Sequence, residues 1–154
     1  MTHNANISLI TGQPPLELLL IEDDPGDVDL IREALKASSL PVRLRIVDDG
    51  VKALAYLRRE GEFSVAALPQ LILLDLNLPK KDGCEVLRAI KTSPNLRKIP
   101  VVVLTTSDAQ ATIIKAYELD ANCYVVKPVG FEEFARAVKA IEEFWLTLVQ
   151  LPSE

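Results

Sequence analysis

Short apolar runs separated by amphipathic stretches organise the chain from residue 16 onward. Leu16–Ile21, Leu71–Leu74, Ile99–Leu104 and Cys123–Val126 are mostly branched and nearly uninterrupted. That pattern predicts strands buried on both faces of a parallel sheet. Val42–Val47 differs, because Arg43 and Arg45 alternate with Leu44 and Ile46; one face or edge of this strand is expected to be polar. Strand and helix patterns alternate five times with short connections, as parallel βαβ units require. The fold class is therefore α/β.

Punctuation residues place the helices. The first has Asp24 as N-cap, Pro25 at the first helical position and Asp27 in the first turn, with Val28, Ile31, Ala34 and Leu35 on one face. It is expected to stop near Ser38-Ser39, before Pro41. A second helix is predicted over about Val51–Arg59, ending at Gly61, and a third from near Gly83 to a stop before Pro94. Ser107 and Gln110 form a capping-box pair for a helix running to Leu119. The final helix is predicted from near Phe131 to about Val149, longer than the sheet needs, with Pro152 stopping it. Residues 1–15 are polar, include Pro14-Pro15 and read as a leader outside the fold, leaving 16–154 as one domain with a C-terminal tail.

Each of the four uninterrupted runs ends on a residue with specific chemistry. Leu16–Ile21 leads into Glu22, Asp23 and Asp24; Leu71–Leu74 into Asp75; Ile99–Leu104 into Thr105; Cys123–Val126 into Lys127-Pro128. In open parallel sheets, ligands collect just beyond the carboxyl ends of the strands. Glu22, Asp23, Asp75, Thr105 and Lys127 are thus expected to converge on one spot. Three acids, a hydroxyl and an ammonium together suit a divalent cation and a phosphoryl group. Adjacent carboxylates raise one another's pKa, so such a cluster calls for a cation, and Mg²⁺ is held typically through one or two carboxylates, waters and phosphate oxygens.

Composition narrows the function. The 154 residues suit one domain with a full core, and 17 basic against 22 acidic residues give a net charge of −5, which argues against nucleic acid as a direct partner. No run approaches the ~18 apolar residues of a membrane span, and the Met-Thr-His-Asn-Ala-Asn start lacks signal-peptide character. Cys84 and Cys123 have neither metal spacing nor a disulfide framework and read as free thiols of a cytoplasmic protein. The single histidine, His3, lies in the polar leader. Nucleophilic catalysis by histidine and the catalytic loop of a protein kinase are thereby excluded, and a phosphoryl-donor histidine must come from a partner.

The five landmarks in this order, with the segment Asp75-Leu-Asn-Leu-Pro-Lys-Lys-Asp-Gly83, resemble the receiver domain of two-component response regulators over roughly residues 16 to 146. The resemblance implies a doubly wound, flavodoxin-like sheet of five parallel strands in the order 2-1-3-4-5. It implies that Asp75 accepts a phosphoryl group from a histidine kinase, and that Asp23, Asp75 and the main-chain carbonyl of Asn77 ligate Mg²⁺ or Mn²⁺, with Glu22 acting mainly through water. Lys127 would contact the phosphoryl group beside a cis Pro128. Thr105 would be the switch hydroxyl, and Tyr124 the aromatic residue that moves with it. The chain departs from the family at Glu22, where Asp is frequent, and at Val129, where Phe is frequent. Val-Leu-Thr-Thr-Ser107 together with Phe144-Trp-Leu-Thr-Leu-Val-Gln-Leu-Pro152 is similar to regulators that serve bacterial phytochromes. In that subfamily reading the kinase is phytochrome-type and output runs through protein–protein contacts.

Other readings of the acidic site differ in their demands. A flavin-binding relative wants hydroxyls and amides around a phosphate, where Glu22-Asp-Asp-Pro-Gly-Asp27 would repel one. A phosphatase of the haloacid dehalogenase type wants a second acid at residue 77, where Asn stands. A phosphorelay shuttle or sink, or a scaffold that no longer takes phosphate, would share the fold. In the final helix Phe131, Phe134, Val138, Ile141, Trp145 and Leu148 recur at helical spacing, with Phe144 and Val149 broadening the stripe. Excess apolar surface at the tail marks an interface, so Phe144, Trp145 and Leu148 are expected in a two-fold homodimer.

Overall fold

The computed structural model describes residues 15–36, 41–76, 78, 80, 82–105, 123–126 and 131–143. Its elements are β1 (Leu16–Ile21), α1 (Pro25–Lys36), β2 (Val42–Val47), α2 (Gly50–Leu57), a 3₁₀ turn (Gly61–Phe63), β3 (Leu71–Leu74), α3 (Gly83–Thr92), β4 (Val101–Thr105), β5 (Cys123–Val126) and α4 (Phe131–Glu143). The strands pair in parallel in the order β2-β1-β3-β4-β5.

Burial follows the sequence pattern. Leu18 to Ile21, all of β3 and Val101 to Leu104 are buried, as central strands covered on both faces must be. In β2, Val42 and Val47 are buried, Leu44 and Ile46 are half-buried, and Arg43 and Arg45 are exposed. Arg43 donates to Glu17 Oε2 at 2.9 Å from its register partner strand, and charges of this kind protect an edge strand from pairing with another sheet.

Two apolar layers sandwich the sheet. On one face Ile31 of α1 and Ile141 of α4 join Leu18, Leu20, Leu71, Leu73, Val102 and Leu104. On the other, Ala53, Leu54 and Leu57 of α2 and Val86, Leu87 and Ile90 of α3 cover Leu19, Ile21, Ile72, Leu74, Val101 and Val103. Alternate residues of each strand serve opposite layers, which is why the runs are continuously apolar. Tyr56 and Phe63 close the second layer edge-to-face, with ring centroids 5.3 Å apart.

The helix boundaries refine the expected ones. Asp24 is the N-cap of α1: its Oδ2 accepts the Asp27 amide at 3.3 Å, and its carbonyl accepts the Val28 amide at 3.0 Å. The second helix begins at Gly50 rather than Val51 because Asp49 caps it, its Oδ1 accepting the Lys52 amide at 2.7 Å. It also ends earlier than Arg59. Arg59 itself adopts φ +56°, its amide bonds Tyr56 O at 3.1 Å and the Glu60 amide bonds Ala55 O at 2.9 Å. That left-handed termination usually falls to Gly, and Gly61 lies instead in the 3₁₀ turn beyond it. The helix expected from Ser107 to Leu119, the leader, residues 37–40 and the tail from Phe144 lie outside the described residues. Among the described residues no helix is long and apolar enough to cross a membrane.

Candidate functional site

The acidic site is built by strand register. Ile21 pairs with Val47 on one side and Leu74 on the other, so the residues that follow Ile21 and Leu74 emerge at one level. The ladders run one step past the strands: the Glu22 amide donates to Val47 O at 3.0 Å, and the Asp75 amide to Ile21 O at 3.0 Å. Glu22 and Asp75 are thus fixed by backbone bonds at the carboxyl edge of the sheet.

Glu22, Asp23 and Asp75 each present a carboxylate oxygen within 4.8 Å of the others. Glu22 is 1% exposed and Asp75 6% exposed, whereas Asp23 faces solvent. Glu22 Oε2 also accepts the Asp24 amide at 3.2 Å, which orients it where α1 begins. Three carboxylates in so small a volume repel one another, and burial of two of them removes the water that would screen the charge. A hard divalent cation fits this all-oxygen donor set, and the exposed Asp23 leaves room for the waters that Mg²⁺ retains.

The other predicted residues are placed in part. Thr105 ends β4 opposite Val126, the last residue of β5, and Tyr124 pairs with Val103. Through Leu74 opposite Val103, the backbone of Thr105 lies at the same carboxyl edge as Asp75. Asn77, Lys127, Pro128, Phe144, Trp145 and Leu148 lie outside the described residues. Cys84 is buried and in no disulfide among the described residues.

Three residues shape the rim beyond those expected to bind metal or phosphate. Asp82 caps α3, its Oδ1 accepting the Cys84 amide. Gly83 packs against the segment that follows Asp75, and its amide donates to Leu76 O at 3.1 Å. A Cβ there would lie 2.4 Å from Leu76 Cα and 2.7 Å from Asp75 O. Asp49, 4% exposed, lies beyond β2 and carries an ion pair to Lys80, Nζ to Oδ2, at 3.6 Å. Beside it, a hydrogen bond from Lys52 at 3.0 Å holds the exposed Asp48 carboxyl below its usual range. The Asp–Gly steps at 49–50 and 82–83 were the available signal for both caps.

Residues 18–139 match the response regulator receiver domain family. The chain is 49% identical over 142 residues to the response regulator Rcp1 of Synechocystis sp. strain PCC 6803, spanning 92% of this chain and 97% of that protein. Its structure resembles the crystal structure of the phosphorylated cyanobacterial phytochrome response regulator RcpA, with a TM-score of 0.89 and 50% identity, over 91% of this chain and all (100%) of that one. It also resembles the Mn²⁺-bound form of Rcp1, with a TM-score of 0.87 and 48% identity, over 90% of this chain and 100% of that one.

Proposed function

The chain belongs to the response regulator receiver family, and from that premise we propose that it is a two-component signalling protein that accepts a phosphoryl group on Asp75. The observation that carries this reading is the convergence of Glu22, Asp23 and Asp75 within 4.8 Å at the carboxyl ends of β1 and β3. A carboxylate is a weak nucleophile that depends on being positioned. Backbone bonding to Ile21 and the buried wall of β3 hold Asp75 at the carboxyl edge of the sheet, which supports the role of nucleophile.

In the proposed transfer, a carboxylate oxygen of Asp75 forms the new P–O bond as the P–N bond to a partner's phosphohistidine breaks. The imidazole leaves with the bonding pair, and the product is an acyl phosphate. Glu22, Asp23, Asp75 and the carbonyl of Asn77 would hold Mg²⁺ or Mn²⁺. When bound, the cation neutralises phosphoryl oxygens and lowers the barrier to approach of an anionic nucleophile. Lys127 would supply the second positive charge, beside a cis Pro128. Thr105 donates its hydroxyl to a phosphoryl oxygen and draws the following loop inward, and Tyr124 follows it. The phosphoryl group so biases an existing equilibrium between two arrangements.

The similarity to RcpA, a cyanobacterial phytochrome response regulator, supports a phytochrome-type histidine kinase as donor. Residues 1–15 would be a leader, with residues 16–154 forming the receiver and a C-terminal dimerisation tail. Output would pass through protein–protein contact, with the tail residues Phe144, Trp145 and Leu148 in a homodimer interface.

Treatment with acetyl phosphate and Mg²⁺, followed by intact-mass spectrometry, tests the reading. The wild type should gain one phosphoryl mass that EDTA prevents, and Asp75→Asn should gain none. Full phosphorylation of Asp75→Asn would move the acceptor elsewhere.

A further inference from the structure

Lys80 has φ +66°, a left-handed backbone in which a Cβ crowds the following carbonyl. Among the described residues, Arg59 is the other non-glycine at positive φ. Arg59 is accounted for by the end of α2, where its amide and that of Glu60 satisfy the last carbonyls of the helix. Lys80 ends no helix. It sits midway between Leu76 and Gly83, whose backbones bond at 3.1 Å, in the segment that leads from Asp75 into α3.

What Lys80 gains is Asp49. Its Nζ lies 3.6 Å from Asp49 Oδ2, with side-chain exposures of 66% for the lysine and 6% for the aspartate. The two partners are unequal. Asp49 Oδ1 accepts the Lys52 amide at 2.7 Å at the start of α2, so the carboxylate is clamped by the helix it caps and is a fixed anchor. Lys80 is a long, exposed side chain on an unfavourable backbone that reaches this anchor. Its charge also acts on the neighbouring Asp48.

The pair spans the rim of the acidic site. Asp49 lies just past Val47, whose carbonyl accepts the Glu22 amide at 3.0 Å. Lys80 lies just past Asp75 and Leu76, in the segment that contains Asn77. The ion pair therefore ties the loop after β2 to the loop after β3, on opposite sides of β1, with the carboxylates of Glu22, Asp23 and Asp75 converging at the end of β1 and β3.

We propose that Asp49 is a positioning residue for the cation site: by holding Lys80 it fixes the segment between Asp75 and Gly83, and so sets the Mg²⁺ affinity on which phosphorylation depends. This rests on the receiver function proposed above. Neither residue touches the transferred group, so the effect is on metal concentration dependence and not on the maximal rate.

The test compares wild type, Asp49→Asn, Lys80→Gln, Lys80→Arg and the double variant Asp49→Asn/Lys80→Gln. Mg²⁺ binding is measured by calorimetry, and acetyl phosphate phosphorylation by intact mass across a Mg²⁺ series. Asn caps helices as well as Asp does, so Asp49→Asn removes the charge and keeps α2. Each charge-removing variant should bind Mg²⁺ roughly two- to fivefold more weakly, the range expected of an exposed ion pair. Saturating Mg²⁺ should restore the wild-type rate, Lys80→Arg should bind like wild type, and the double variant should lose no more than either single one. Unchanged Mg²⁺ affinity in Lys80→Gln, whose side chain is exposed and whose loss does not threaten folding, overturns the inference while leaving the receiver function standing. Additive losses in the double variant overturn it as well. A wild type that neither binds Mg²⁺ nor takes the phosphoryl group overturns both.

Discussion

Gly83 lies against Leu76 so closely that a Cβ on residue 83 would stand 2.4 Å from Leu76 Cα. The contact is with backbone, and no side-chain rotation relieves it. The first residue of α3 is thereby pressed onto the peptide that follows Asp75, and the helix and the proposed acceptor share one junction.

Gly83→Ala should consequently push the segment after Asp75 outward. Forcing an extra methyl into a filled site costs about 1–3 kcal/mol, so the melting temperature should fall. Phosphorylation should also slow, because Asp75, whose carbonyl lies against residue 83, would shift with that segment. Thermal melts and an acetyl phosphate time course on the same sample measure both. A variant with wild-type stability and rate would show that the junction yields freely.

Asp23 and Asp24 are neighbours with different work. Asp23 offers an oxygen to the acidic cluster, while Asp24 Oδ2 accepts the Asp27 amide at 3.3 Å as the cap of α1. Asp23→Ala should weaken Mg²⁺ binding strongly with little loss of stability, since it removes one of several repelling charges. Asp24→Ala should lose about 0.5–2 kcal/mol of stability with a much smaller change in metal affinity. Calorimetric Mg²⁺ titration beside urea unfolding of both variants separates the two, and equal losses of affinity would erase the division.

The parts of this site that the sequence made legible are those written in residue type. Continuous apolar runs ending in Glu22 and Asp75 announce central strands, and parallel register then puts the next residues at one level without further information. Asp24 before Pro25 announces a helix start in the same way. Other features depend on backbone geometry that residue type does not encode. Arg59 and Lys80 occupy left-handed conformations where Gly is the usual sign, so α2 ends at Leu57, earlier than the Arg59 and Gly61 that residue type indicates. The crowding at Gly83 arises from tertiary approach, which no spacing within the segment reveals. The Asp49–Lys80 pair joins residues 31 positions apart in sequence (80 − 49) through a fold that had first to be formed.

Thr105 stands at the carboxyl end of β4 opposite Val126, where its hydroxyl is proposed to sense the phosphoryl group. Thr105→Ala should still be phosphorylated on Asp75, because the transfer is proposed to rest on the cation and Lys127. It should lose the response at Tyr124. Selective isotope labelling of tyrosine, with spectra taken before and after addition of beryllofluoride and Mg²⁺, follows that response directly. A wild-type shift of the Tyr124 resonance in Thr105→Ala would uncouple the hydroxyl from the switch.

Helix α4 buries Ile141 against the layer formed by Ile31, Leu18 and Leu71, which seats its base on the sheet. The apolar series continues in sequence through Phe144, Trp145, Leu148, Val149 and Leu151, beyond what one domain's layer requires. This excess in the sequence is the ground on which a homodimer through the tail is proposed. On that proposal the pair Phe144→Ala and Trp145→Ala should give a monomer whose Asp75 is still phosphorylated, because Glu22, Asp23 and Asp75 come from the ends of β1 and β3. The variant's thermal stability should be nearly independent of protein concentration, whereas that of a dimeric wild type should rise with concentration. Sedimentation at tens of micromolar, with and without beryllofluoride, decides the matter: a monomeric wild type in both conditions would remove the dimer, and loss of phosphorylation in the variant would place the tail in the site itself.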